Sequence, residues 1–177
     1  MIHPTFKEFL KQTRQANVIP VYQEINADLD TPVSAYLKLK KNDHSFLLES
    51  VEGQEKIARY SFMGTEPSLI FTSKGKNIEI THTKKKLTNR FTTQSTPLDE
   101  LRAIMRDFKA YRSKHLPRFY GGLVGYMGYD MVRLMEDLPS PNPDTLGLPD
   151  AVLIRPTIMA IFDSVKDEMT VVMPVRP

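Results

Sequence analysis

The runs AVLIRPTIMAIF (residues 151–162) and MTVVMPV (residues 169–175), separated by the polar DSVKD at 163–167, are the part of the chain on which the fold turns. Both runs are dense in β-branched and other apolar residues, and the connection is short and charged. They therefore predict two antiparallel strands joined as a hairpin. Immediately before them, Leu138 to Asp150 holds four prolines and predicts a loop, because proline removes a backbone donor that a helix or sheet interior needs. Farther back, Ser45 to Ser50, Arg59 to Met63, Leu69 to Thr72 and Asn77 to His82 read as strands. Ser73-Lys74-Gly75-Lys76-Asn77 separates two of these by a glycine-containing turn and predicts another hairpin.

Three helices are signalled by their caps. Thr5 caps a short helix through Thr13 with Phe6, Phe9 and Leu10 on one face. Thr31 followed by Pro32 starts a second, in which Val33, Tyr36, Leu37 and Lys40 recur at helical spacing. Thr96-Pro97 opens the longest, with Asp99 and Glu100 suited to the positive end of the helix dipole and Lys109, Arg112, Lys114 and His115 at the other end. Its buried stripe is predicted as Leu98, Leu101, Ile104, Met105, Phe108 and Tyr111. Strands grouped apart from helices, with no regular βαβ alternation, predict an α+β fold of antiparallel sheets and a few packed helices.

With 177 residues, 41% of them apolar and 25% charged, the chain is long and apolar enough to bury a core as one domain or one lobe. It lacks cysteine, so disulfides, thiolate catalysis and cysteine-ligated metals are excluded. No apolar run is long enough to span a bilayer, and Met1-Ile2-His3-Pro4-Thr5 has neither the basic nor the apolar region of a signal peptide. A cytoplasmic location without membrane association is the expectation. The net charge is only +3, and much of it sits in Lys74, Lys76, Lys84, Lys85, Lys86 and Arg90, which read as a solvated hairpin surface.

A search for a catalytic set returns none. His3, His44, His82 and His115 fall in unrelated segments without metal-ligand spacing, and neither a nucleophile elbow nor a phosphate-binding loop occurs. GGLVGYMGYD at 121–130 spaces its glycines as G-G-x-x-G-x-x-G, which is no dinucleotide fingerprint. Such glycines mark close backbone approach or sheet bending, with Tyr120, Tyr126 and Tyr129 filling the space around them. The other singular element is FLLES at 46–50, an apolar strand ending in a carboxylate and a hydroxyl, followed by Arg59-Tyr60-Ser61-Phe62. An acceptor, donors and a guanidinium at one sheet edge suit a zwitterion such as a free amino acid. A Glu49–Arg59 ion pair across adjacent strands explains the same residues equally well.

LLES at 47–50, ARYSFMGTEP at 58–67, GGLVGYMGYD at 121–130, LPD at 148–150 and IFD at 161–163, in this order, resemble the amino-terminal region of anthranilate synthase component I over essentially the whole chain. The resemblance implies that residues 1–177 are one lobe of a larger fold. It also implies that the family's reaction, chorismate plus glutamine-derived ammonia to anthranilate and pyruvate in tryptophan biosynthesis, is carried by a chorismate-binding domain with Mg2+ that this chain lacks. The fragment itself is then expected to be inactive and to contain no cofactor. The implied partners are a glutamine amidotransferase subunit, component II, and L-tryptophan as feedback inhibitor. The family's allosteric tryptophan site carries over to Leu48, Glu49 and Ser50, with Arg59, Tyr60 and Ser61 beside them.

Two other readings stay open. One is the equivalent lobe of aminodeoxychorismate synthase component I, against which LLES and RYSF favour the tryptophan branch. The other is a small basic nucleic-acid-binding module using the lysine cluster and Phe91, although neither an RNA-binding aromatic motif nor a helix-turn-helix signal is present.

Overall fold

The computed structural model describes residues 1–49, 59–139 and 143–177. The chain divides into two compact units, one made of residues 1–67, 108–122 and 156–177 and the other of 68–107 and 123–155. The fold is the predicted α+β class, with antiparallel strand pairing and short helices. Two long strands, β3 (Tyr60–Lys74) and β7 (Ala151–Asp163), give one half to each unit.

In the first unit, β7 and β8 (Glu168–Val175) form the predicted hairpin, pairing Met159 with Val172 through Asp163 with Glu168. Strand β1 (Ile19–Asn26) pairs with β8 over its whole length, from Ile19 opposite Val175 to Asn26 opposite Glu168. The sequence reading assigns no element to 19–26, because Pro20 and the polar pair Gln23-Glu24 break its apolar pattern. β1 is the terminal strand of its sheet path, a place that tolerates proline. Helix α1 (Phe6–Gln12) carries the predicted Thr5 cap, with Thr5 and Glu8 forming a reciprocal capping box. It buries none of its residues, however, and Phe6 and Leu10 are exposed.

Helix α2 (Pro32–Leu39) is capped by Thr31 as predicted. The face it packs is Ala35, Tyr36 and Leu39, while Val33 and Leu37 lie exposed, so the predicted stripe is rotated. Alternation along the strands supplies two apolar clusters. Met63, Ala160, Phe162 and Met169 pack with Ala27 and Ala35 of the α2 region. Tyr22, Ile161 and Val172 pack with Leu116 and Tyr120, flanked by Tyr60 and Phe62.

The second unit is built on β3 and β4 (Asn77–His82), which turn at Gly75, and on β5 (Leu87–Thr92), which pairs with β4. The lysines between β4 and β5 occupy a solvated turn as expected. Lys86 takes the left-handed conformation there, Arg90 pairs with Glu79, and Lys74 pairs with Asp144. Helix α3 (Pro97–Arg106) starts at Thr96 as predicted and packs Leu98, Leu101 and Ile104 against Phe71, Ile78, Met131 and Leu153. It ends five residues before Tyr111, the last position of the predicted stripe. The reason is a backbone competition: the Lys109 carbonyl accepts the Asn17 and Val18 N–H groups, and the Val18 carbonyl accepts the Tyr111 N–H. The chain at 109–111 is thereby drawn into extended pairing, so Lys109, Arg112, Lys114 and His115 do not form a helix terminus.

Strand β6 (Val124–Met127) pairs with the amino-terminal part of β7. Gly125 meets the expectation of close backbone approach: a Cβ there would lie 1.9 Å from the Val152 carbonyl oxygen. Of the three tyrosines expected to fill space around the glycines, only Tyr120 is buried, whereas Tyr126 and Tyr129 are exposed. The proline-rich segment carries neither helix nor strand among its described residues.

Candidate functional site

The candidate ligand residues converge on β2 (Phe46–Leu48) and the start of β3. These two strands pair antiparallel, with Phe46 opposite Gly64, Leu47 opposite Met63 and Leu48 opposite Phe62. Pairing at this edge depends on Gly64, since a Cβ at that position would sit 2.4 Å from Phe46 Cε1 and 3.1 Å from Pro156 Cβ. Leu47 packs into the α2 cluster, whereas Leu48 is 48% exposed. Glu49 follows directly and is exposed. Ser61, next to Phe62 in β3, is buried. The position of Ser50, the remaining residue of this element, lies outside the described residues.

Arg59, at the entrance to β3, is committed elsewhere. Its Nε donates to both carboxylate oxygens of Asp163 at 2.9 and 3.0 Å, and its Nη2 donates to Oδ2 at 2.6 Å. The ion pair considered between Arg59 and Glu49 is thus replaced by one with Asp163. The fork geometry of a guanidinium favours a carboxylate held rigidly in a strand end over one on an exposed segment. The Arg59 backbone is fixed as well, because its carbonyl accepts both the N–H and the hydroxyl of Ser164.

Burial pushes the Asp163 carboxyl up, but hydrogen bonds from Arg59 and from the Val165 and Lys166 N–H groups outweigh it and hold the group below the usual carboxylate range. The guanidinium also lies 5.0 Å from the centroid of the Tyr60 ring, a cation–π contact, and Tyr60 itself leans on Phe62. The structure therefore places Leu48 in β2 with Glu49 directly after it, and Tyr60 and Ser61 at the start of the β3 strand that β2 pairs with, and it gives Arg59 a second role that spacing did not reveal. Asp163 is the residue that sequence reasoning missed. It lies 104 positions from Arg59, and its only signal was membership of IFD.

A separate cleft of about 410 Å³ lies among α1, β1 and residues 111–115, with Glu8 and Glu24 along it together with Arg112, Lys114 and the Tyr22 ring. Burial pushes the Tyr22 phenol up, with Glu24 and Glu8 adding to this and the Ser113 hydrogen bond opposing it. Nothing in its charge pattern selects one ligand. Among the described residues, no group of three or more histidines or carboxylates is placed to hold a metal ion. No helix among them is long and apolar enough to cross a membrane.

No family model matches the chain. Individual relatives do. It is 43% identical over 172 residues to anthranilate synthase component 1 of Cereibacter sphaeroides, a match covering 96% of this chain and 34% of the relative. To the protein of the same name from Aquifex aeolicus it is 38% identical, covering 97% and 34%. The crystal structure of anthranilate synthase component I from Streptococcus pneumoniae TIGR4 superposes with a TM-score of 0.51 at 25% identity, covering 86% of this chain and 31% of that one. All three are named as component 1 or I of anthranilate synthase. The chain belongs to the anthranilate synthase component 1 family and spans about a third of the length of the relatives it matches.

Proposed function

We propose that this chain is the tryptophan-sensing lobe of an anthranilate synthase, the large-subunit region that lowers synthesis of anthranilate from chorismate and glutamine-derived ammonia when tryptophan is abundant. The observation that supports the reading is the β2–β3 pairing, which puts Leu48 opposite Phe62, with the exposed Glu49 directly after Leu48 and with Tyr60 and Ser61 directly before Phe62 in β3. A free amino acid needs an anionic acceptor for its ammonium group, donors for its carboxylate and an apolar wall for its side chain. Glu49 supplies the first, the Ser50 hydroxyl the second, and Leu48 with Tyr60 the third, Ser61 being buried on the other face of β3. Arg59 contributes as the residue that holds the start of β3 through Asp163.

The chemistry in this reading belongs to polypeptide outside the chain: a chorismate-binding domain with Mg2+ and a separate glutamine amidotransferase subunit. Occupancy alone does not inhibit. Tryptophan lowers activity only if it binds the less active arrangement of the enzyme better than the active one. A pocket completed by the rest of the large subunit supplies that difference, and it follows that this chain by itself binds tryptophan weakly.

The test is inhibition of the full-length enzyme that carries this chain. A lost hydrogen bond to a charged ligand group costs about 1.5–3 kcal/mol, so Ser50→Ala or Glu49→Gln raises the tryptophan concentration for half-inhibition roughly ten- to a hundredfold. Inhibition curves that coincide with the parent enzyme for both variants reject the assignment. Tight binding of tryptophan to the chain alone, measured by calorimetry, rejects the shared pocket.

A further inference from the structure

Arg112 and Lys114, which the sequence sets at the end of a long third helix, instead line the cleft of about 410 Å³ beside α1 and β1. Two carboxylates, Glu8 of α1 and Glu24 of β1, line the same cleft. Pro20, Tyr22 and Glu24 alternate along β1 and so share the face that the cleft exposes. Among the described residues, none of the four charged side chains enters an ion pair, although both signs line one concavity. The physical reason is that backbone bonding fixes the walls independently. On the acidic side, the His3 N–H donates to the Tyr22 carbonyl at 2.8 Å and the Tyr22 N–H to the His3 carbonyl at 2.7 Å, while Thr5 holds Glu8 in the capping box. On the basic side, the Tyr111 N–H donates to the Val18 carbonyl at 2.8 Å, the Lys109 N–H to Asn17 Oδ1 at 2.9 Å, and the Tyr120 hydroxyl to the Tyr111 carbonyl. The buried Tyr22 joins the two sides: its ring stacks on His3 with centroids 5.5 Å apart, and its phenol hydrogen bonds to the Ser113 side chain.

We propose that this cleft binds a small dipolar molecule of the α-amino acid class, with its ammonium group at Glu8 and Glu24, its carboxylate at Arg112 and Lys114, and its side chain against Tyr22 and Tyr111. The charge pattern thus selects a class, not a single ligand. A polyanion such as nucleic acid meets Glu8 and Glu24, and a polyamine meets Arg112 and Lys114, so a ligand of one sign is repelled by half of the site. A zwitterion satisfies both halves at once. The volume suits it, since small-molecule clefts start at roughly 300 Å³, and walls already fixed by hydrogen bonds spare the ligand the cost of ordering them. The cleft shares no residue with the set Leu48, Glu49, Ser50, Arg59, Tyr60 and Ser61, so the proposal stands apart from the tryptophan reading of that edge.

The test is a backbone-amide NMR titration of this chain at low ionic strength with each common free amino acid in turn. At least one is expected to shift the amides of Glu8, Glu24, Ser113 and Lys114 saturably. The four charged residues are exposed, so Glu24→Gln and Arg112→Met should each fold normally and weaken that binding by about two- to fivefold, the range for exposed charge pairs. The N-acetyl and carboxamide derivatives of the same amino acid, which each keep one charge, should bind more weakly than the zwitterion. Absence of a saturable shift in the cleft for every amino acid overturns the proposal, as do shifts confined to β2 and β3, which would report the other edge. Binding in the cleft that neither variant weakens, or that both capped derivatives match, also overturns it, because the charges would then play no part.

Discussion

The substitution Gly64→Ala tests the strand pair on which the candidate site depends. A methyl group at this position would lie 2.4 and 2.6 Å from Phe46 Cε1 and Cζ and 3.1 Å from Pro156 Cβ. The ring is the far end of a side chain and can swing away, but it sits directly opposite Gly64 on a strand of only three residues, so its departure weakens β2 itself. Overpacking of this kind costs about 1–3 kcal/mol, while replacing glycine within a strand returns roughly 0.5–1 kcal/mol of backbone entropy. The net expectation is a loss of about 1–2 kcal/mol, which for a chain of this length lowers Tm by roughly 2–8 °C. Because the cause is the ring, Phe46→Leu should make room for the methyl group. The double variant is then expected to lose less than the sum of the single losses, by about 1 kcal/mol, with Pro156 preventing full rescue. Urea denaturation of the four proteins, with m-values compared, gives this coupling. Additive losses within 0.3 kcal/mol, or a Gly64→Ala protein as stable as the parent, refute the reasoning (the threshold being roughly the error of such cycles).

Two further expectations concern other parts of the chain. Asp163 has a lowered pKa in the folded protein, so its contribution to stability is present above the unfolded carboxylate value near 3.9 and is lost as pH falls through the folded value. Arg59→Met removes the largest lowering influence and leaves burial dominant. The acid limb of a Tm–pH curve should therefore move to higher pH, and superimposable curves for parent and variant would contradict the assigned cause. Gly125→Ala forces a methyl group against the Val152 carbonyl oxygen, a backbone atom that cannot rotate away. It should break β6 from β7 at a cost of about 2–3 kcal/mol, seen as loss of amide-exchange protection confined to these two strands.

What the sequence determined by itself was everything set by neighbours in the chain. The caps at Thr5, Thr31 and Thr96 stand where they were read, because each threonine accepts a hydrogen bond from an N–H three residues ahead. The hairpin turns at Gly75 and after Asp163 stand likewise, as does the α+β class that follows from them. The landmarks from LLES to IFD carried the family. Only the tertiary structure decided the features whose cause lies far along the chain. Strand β1 exists in spite of Pro20 because β8, about 150 residues later, accepts it as an outer neighbour. α3 stops at Arg106 because Asn17 and Val18 claim the backbone that follows it. Arg59 pairs with Asp163 and not with Glu49, the partner in one of the two readings of these residues, for a similar reason: strand register, not spacing, determines which carboxylate reaches a guanidinium in fork geometry, and register is a property of the paired strands together.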